Sequence, residues 1–467
     1  MTRMFVFGEP ERLRRVFEEV SRMTPECAQY MLDHVLASFS SRHGDILSTF
    51  AENYDQIRRQ IGWNTDLTKP RRLLLGSYFT MEYSLEAAAL FNPSMTPHPD
   101  QEGVRNGDVR FLMSLRATGE GHVSSVVFRC GSIGANGAVT IEPPRRFPVP
   151  MRPTPDQVYI KPLFLRTLKA MTGDSDAAAR ALDSYGEQFT YAQLQNAIVE
   201  SRVSGSWFPL TLETIESMLW IARSNYQVQM RPDADISEMV IFPQSEGESR
   251  GIEDLRLVRF VEDDGEPTYY GTYTAYNGIR TLPMMLETKD FRKVDIHTLN
   301  GAYARNKGHA LFPRRIKGHY VMCSRVDGQN LYIMSSDHLY FWESATLLAV
   351  PRYPWELMLL GNCGSPIETD EGWLLITHGV GPMRQYSISA ILLDLDDPTK
   401  TIGRLRDPLI TPTEGEREGY VPNVVYSCGS MAHQGVLYLP YAMADKTTTM
   451  ATIELDALVS ALRASPP

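Results

Sequence analysis

The sequence predicts a mainly β protein: a five-bladed β-propeller carrying an added α-helical lobe. Three observations lead there. A unit of strand, turn and strand recurs five times after about residue 72. Helical periodicity dominates the first 71 residues. A second helical stretch, at about 153–231, interrupts the strand rhythm and reads as an insertion in a propeller loop.

The N-terminal region, 1–71, is read as helices from its apolar spacing. In PERLRRVFEEVSRM, residues Leu13, Val16, Phe17 and Val20 form one stripe. Thr24-Pro25-Glu26 is a restart signal, with a capping hydroxyl, a proline at the first helical position and an early acid. Tyr30, Met31, Val35 and Leu36 continue the pattern, and Ile46, Leu47, Phe50, Tyr54 and Ile57 give a third stripe.

From about Arg72 to the end at 467 the texture is short strands rich in Val, Ile, Tyr and Leu between Gly and Asp turns. The unit is seen at NGDVRFLMSLRATGEGHVSSVVFR, DDGEPTYYGTYTAYNGIRTLPMMLE, IKGHYVMCSRVDGQNLYIMSSD, DEGWLLITHGVGPMRQYSISAILLDL and HQGVLYLPYAMADKTTTMATIEL. The last four starts are roughly 50 to 60 residues apart, the size of a four-stranded blade. In the insertion, TYAQLQNAIVESRV and LTLETIESMLWIARSNY have helical patterns, and Tyr185, Phe189, Trp207 and Trp220 are read as core. The two helical regions are expected to form one lobe, outside the funnel where the blades converge.

Composition excludes several classes. A net charge of −10, from 46 Lys and Arg against 56 Asp and Glu, argues against nucleic acid as a partner. Five cysteines lie far apart with no CxxC pair, which suits reduced thiols in the cytoplasm, and no histidine pair has metal-ligand spacing. No apolar run approaches a membrane-spanning length, so no membrane association is expected. Helices with uncommitted apolar stripes favour a homo-oligomer.

The segment GIEDLRLVRF places Glu253 and Asp254 beside Arg256, ahead of an apolar strand. Adjacent acids near an arginine form surface ion pairs in many proteins, so the motif alone decides nothing. Downstream segments add Tyr273, Tyr276, Asn277 and Arg280, then Arg305, Asn306, Lys307, His309 and Arg325, then His378, Arg384 and Tyr386. Each set comes from a different repeat unit. Cations converging on one cavity would suit an oxyanion such as phosphate.

The combination of AAALFNPS, GIEDLR, YTAYNG, NKGHALFPRRIKGHYVM, GWLLITHGV, ISAILLDLDDPTK and VPNVVYSCG resembles glycoside hydrolase family 130, the β-mannoside phosphorylases and related β-mannosidases. The resemblance runs from about Glu86 to Leu458 and leaves out the N-terminal helices and the insertion. It implies inverting phosphorolysis of a β-linked manno-oligosaccharide or mannosyl-glycoside, with inorganic phosphate as co-substrate, no cofactor and α-mannose 1-phosphate as product. Asp254 falls on the general acid, which relays its proton through the 3-hydroxyl of the mannosyl unit. The implied phosphate ligands are Arg280, Lys307 and His378, with Arg325 and Tyr386 as further candidates. The implied sugar contacts are Asn92, Arg116, Asn277 and Asp445. Leu255 replaces the family's proline after the acid, and Arg314 and the stretch Asn362 to Pro366 depart from its pattern near the acceptor side.

Hydrolysis by an inverting β-mannosidase is the alternative. It needs a second carboxylate to activate water, and Glu253 is the first to examine. A non-catalytic carbohydrate-binding propeller is the third reading, and the intact acid motif speaks against it.

Overall fold

The computed structural model describes residues 1–145, 147–154, 157–203 and 210–465. The chain divides into two units, Met1–Ala87 with Arg145–Val149, and Ala88–Pro144 with Pro150–Pro467.

The first unit holds the helices Pro10–Arg22, Pro25–Phe39, Ile46–Ile61 and Lys69–Tyr78, and a small pair of strands, Thr2–Met4 against Thr80–Glu82. The restart signal works as the residue types demand: Pro25 opens its helix, and the Thr24 hydroxyl accepts from the Cys27 amide at 3.2 Å. Leu13, Phe17 and Val20 are buried with Tyr54, Ile57, Leu74 and Phe79 in one core. Tyr30 and Leu47 are exposed, because they flank the buried stripes rather than join them. The chain is still helical where the sequence reading begins strands, at Arg72. Pro70 starts this helix, and its Leu73, Leu74 and Leu75 are all buried. Gly76 lets it approach the preceding helix, since a Cβ there would lie 1.8 Å from the Phe50 carbonyl oxygen.

The second unit is mainly β. Ala89–Pro97, Val109–Thr118 and Ser124–Ile133 form one antiparallel run, and Gly251–Val261, Pro267–Tyr276, Thr281–Thr288 and Lys293–Thr298 form another. A parallel pairing of Gly251 with Ser124 links the two runs. Three further sheets follow in chain order. They are Lys307–Leu311 to Ala345–Ala349, then Leu359–Asn362 to Thr401–Arg404, then Val425–Tyr426 to Thr447–Glu454. Buried side chains of successive sheets share cores: Ala310, Phe312 and Ile333 pack with Trp373 and Leu375, and Leu374 and Ile376 with Leu437 and Leu439.

The strand Ala89–Pro97 also meets the far end of the chain. Cys428 N donates to Pro93 O at 2.8 Å, and Leu90 N to Lys446 O at 3.0 Å. The Thr448 hydroxyl donates to Leu90 O at 3.1 Å.

The insertion belongs to this second unit. Its helices Lys161–Thr172, Asp176–Ala181 and Leu212–Ser224 enclose a core of Tyr159, Phe164, Leu168, Phe189 and Met218, with Tyr185 and Trp220 packed against it. Trp207 lies outside the described residues. Where the sequence reading extends the insertion to Arg231, Tyr226–Gln229 is already a strand, paired with Lys293–Thr298.

Candidate active site

Asp254 occupies a break in a strand pair. Glu253 still pairs with Thr274 and Arg256 with Thr272, and the register shifts between them, leaving the residues in the bulge off the ladder. Asp254 there has φ +58°, a left-handed conformation that Asp and Asn tolerate better than most residues. Asn92 has φ +51° at a matching break between Phe91 and Ser94 on the strand Ala89–Pro97. The two breaks face each other: Asn92 Nδ2 donates to Asp254 Oδ1 at 2.5 Å. Ser94 Oγ accepts from Leu257 N at 2.9 Å and fixes their relative register.

Charge surrounds this pair. Arg116 Nη1 is 3.7 Å from Asp254 Oδ1, and its Nη2 donates to Glu253 Oε1 at 2.9 Å. Lys307 Nζ takes the other Glu253 oxygen at 2.6 Å. Both oxygens of Glu253 are therefore engaged by cations. Arg256 donates to the Asp254 carbonyl at 2.9 Å and to the Tyr426 hydroxyl at 2.7 Å, and that hydroxyl lies 3.5 Å from Asp254 Oδ2. Burial pushes the Asp254 pKa upward, but Arg256, Arg116, Lys307 and the Asn92 amide outweigh it and hold the carboxyl below its usual range. Asp445, itself at φ +49°, behaves oppositely. Burial first, then the charge of Asp254, pushes it up to about 7 against the pull of Arg116 and Arg384. Two carboxyls with opposed environments thus sit in one electrostatic cluster.

A second group adjoins through Tyr426. His378 lies edge-on to the Tyr426 ring, centroids 4.7 Å apart, and stacks on Tyr386 at 6.0 Å. Arg325 Nη1 is 3.3 Å from His378 Nε2, and His378 Nδ1 is 3.0 Å from the Asn362 carbonyl oxygen. Burial, Arg325 and Arg256 hold the imidazole well below its usual pKa, so His378 is neutral rather than the cation its residue type suggests. Asn362, from the stretch that departs from the family pattern, donates to the Gly308 carbonyl at 2.6 Å, next to Lys307.

The structure therefore brings together Asn92, Arg116, Asp254, Lys307 and Asp445, with Arg325, His378 and Tyr386 reached through Tyr426. It does not bring in the other two candidates. Asn277 and Arg280 occupy the turn before the strand Thr281–Thr288, where the Asn277 side chain accepts from the Arg280 amide at 2.8 Å. The Arg280 side chain is exposed. Sequence reasoning missed Tyr426, which bridges the two groups, although the motif VPNVVYSCG contains it. It also gave Arg256 no partner. Among the described residues no group of His, Cys, Asp and Glu is placed to hold a metal ion.

Comparison with known proteins identifies the family. Residues 219–464 match the family model for glycoside hydrolase family 130, described as β-1,4-mannooligosaccharide phosphorylase, over just more than half of the chain. A 1,2-β-oligomannan phosphorylase of Thermoanaerobacter sp. (strain X514) is 34% identical over 225 residues, 47% of this chain and 74% of that protein. A β-1,2-mannobiose phosphorylase of Listeria innocua is 29% identical over 222 residues, 46% of this chain and 60% of that protein. A second β-1,2-mannobiose phosphorylase, again from Thermoanaerobacter, is 34% identical over 211 residues, 44% of this chain and 68% of that protein. The matched stretches thus span between 60% and 74% of these relatives. The matched region contains Asp254, Lys307, His378 and Asp445, while Asn92 and Arg116 precede it. The chain is an enzyme that belongs to glycoside hydrolase family 130.

Proposed function

We propose that the protein cleaves a β-mannoside by inverting phosphorolysis, with Asp254 as the general acid. One observation carries this reading: Asp254 is held at hydrogen-bond distance from Asn92 among three cations, while its neighbour Glu253 has both oxygens tied to Arg116 and Lys307. An acid is in place, and Glu253 is not free to activate water. Phosphate needs no such base, because it is already an anion.

Protons balance as follows. The Asp254 proton passes through the mannosyl 3-hydroxyl to the glycosidic oxygen. A phosphate oxygen attacks the anomeric carbon from the opposite face, the old bond breaks, and α-mannose 1-phosphate leaves with the shortened acceptor. Asp254 is ionised in the free enzyme, so it must gain its proton on loading. An incoming phosphate supplies the means, since its negative charge offsets the cations that depress Asp254. Asp445, with its carboxyl pKa raised to about 7, is a proton store in the same electrostatic cluster. The amide oxygen of Asn92 is buried without a partner among the described residues, which suits a substrate hydroxyl. Lys307, Arg325 and Tyr386 are the phosphate ligands in this reading, with neutral His378 orienting Arg325. Asn277 and Arg280 belong to it only if their turn moves inward on binding.

Two antiparallel runs joined in one sheet, then three further sheets, with the first run hydrogen-bonded to the last sheet, support reading the second unit as a five-bladed propeller. Exposed Tyr30, Phe39, Leu47 and Tyr78 on the first unit support a homo-oligomer formed through its helices. Five free cysteines support a cytoplasmic location, and no described helix is long and apolar enough to cross a membrane.

The test is phosphate dependence. Incubation with β-1,2- and β-1,4-mannobiose should release mannose 1-phosphate with saturable dependence on phosphate. Lys307→Met should raise the phosphate requirement about ten- to hundredfold, the loss of one charge-assisted hydrogen bond. Free mannose formed at full rate without phosphate would show a hydrolase.

A further inference from the structure

A cavity of about 360 Å³ lies in the second unit, away from the strand of Asp254. It opens between the insertion helices Lys161–Thr172 and Leu212–Ser224 and the strands Thr281–Thr288 and Lys293–Thr298. The last of these lies three strands from Gly251–Val261 in the sheet order, so the proposed reaction makes no use of the cavity. Its size falls within the range of small-molecule sites.

The lining has an unusual charge arrangement. Glu287 and Asp295 are directly opposite in the antiparallel pair, and His297 follows Asp295 by two residues, so all three share one sheet face. Like charges directly opposite one another destabilise a sheet. One oxygen of Glu287 accepts from the Tyr340 hydroxyl, and one of Asp295 accepts from Gln227 at 2.5 Å. The second oxygen of each has no hydrogen bond among the described residues. His297 lies against the Tyr340 ring at 4.5 Å, and neither ring nitrogen has a hydrogen-bond partner among the described residues. Burial lowers its pKa to about 4, so it is a neutral imidazole and not a counter-cation. Lys289 acts on Glu287 from a distance, but no Lys or Arg is among the residues lining the cavity. Tyr159 and Phe164 close the other side as an aromatic wall.

The cavity thus offers two carboxylate oxygens and an imidazole nitrogen, all acceptors, below an aromatic surface. That complements a group with three N–H donors and a positive charge on an apolar body. A bare metal ion is not favoured, since these side chains do not converge at ligand geometry. We propose that this cavity binds a small primary ammonium ion with an apolar or aromatic body, at a site separate from that of the mannoside.

The test uses the full chain at neutral pH, with benzylamine as probe, benzyl alcohol as its neutral isostere and mannose as a polyol, read by calorimetric titration and saturation-transfer NMR. Benzylamine should bind saturably and about tenfold or more tighter than benzyl alcohol, and mannose should not displace it. Asp295→Asn should weaken benzylamine about tenfold. Equal affinity for the alcohol, displacement by mannose, absence of saturable binding, or unchanged affinity in a folded Asp295→Asn would each overturn the proposal. If that variant does not fold, the isostere comparison on the unaltered chain decides alone.

Discussion

Replacing Asp254 by Asn isolates the proton without disturbing the site's shape. Asn tolerates the left-handed backbone at this position as Asp does, and its side-chain oxygen can still accept from Asn92. The fold should survive. Loss of a general acid typically costs about 10²- to 10⁴-fold in rate, which is about 2.7 to 5.4 kcal/mol of barrier. Charge accounting adds a second, opposite effect. Arg116, Arg256 and Lys307 lose one negative neighbour, so the cluster becomes more positive and phosphate affinity should rise. The variant should therefore show a collapsed kcat together with an unchanged or lower KM for phosphate, followed by release of mannose 1-phosphate. A loss of less than tenfold in kcat would refute the role of Asp254. A large rise in phosphate KM at normal kcat would make it a binding residue.

Three further outcomes follow from the same geometry. Asp445 has its folded pKa raised to about 7, so its contribution to stability is fully present below the unfolded value near 4 and is lost as pH rises through about 7. Asp445→Asn should therefore stabilise the fold at pH 8 relative to the parent by on the order of 2–4 kcal/mol, seen in thermal unfolding, with a smaller difference at pH 5. Gly251→Ala should cost about 2 kcal/mol or more in urea unfolding, because φ is +133° and the new Cβ would lie 2.2 Å from Ser124 Oγ and 2.8 Å from Ser124 N. Glu248 is fully buried and accepts from the hydroxyls of Tyr226, Tyr273 and Ser245 at 2.7 to 2.9 Å. Glu248→Ala should lower stability by about 3 kcal/mol or more, measured by the same unfolding curve.

The parts of this protein that were legible in its sequence are those governed by local rules. Helical stripes such as Leu13, Phe17 and Val20, and the Thr24-Pro25 start, depend on spacing and capping within one turn. The position of Asp254 was legible through its motif. Its conformation was not, because a bulge is set by what lies on the partner strands. The one local sign was Gly251, which must sit against the Ser124 backbone. The pairing of Lys307 with Glu253 and of Arg256 with Tyr426 links residues 54 and 170 positions apart, and no periodicity encodes such distances. Reading His378 as a cation failed for a related reason. Its residue type gives charge capacity, and only burial beside Arg325 and Arg256 removes it. The helix through Tyr78 was missed because Leu73 to Leu75 make a continuous apolar run, which suits a buried helix or a buried strand equally.

The bonds from Ala89–Pro97 to Cys428, Lys446 and Thr448 bear on synthesis and turnover. Asn92, which hydrogen-bonds Asp254, belongs to a strand whose outer partners are made more than 330 residues later. A chain emerging from the ribosome can complete its helices and its middle sheets while that strand still lacks one edge. Contacts of such long sequence separation are slow to close. Catalytic competence should therefore arrive last, after translation passes Thr448, and a protease cut near the C-terminus should silence the enzyme while most of its secondary structure persists.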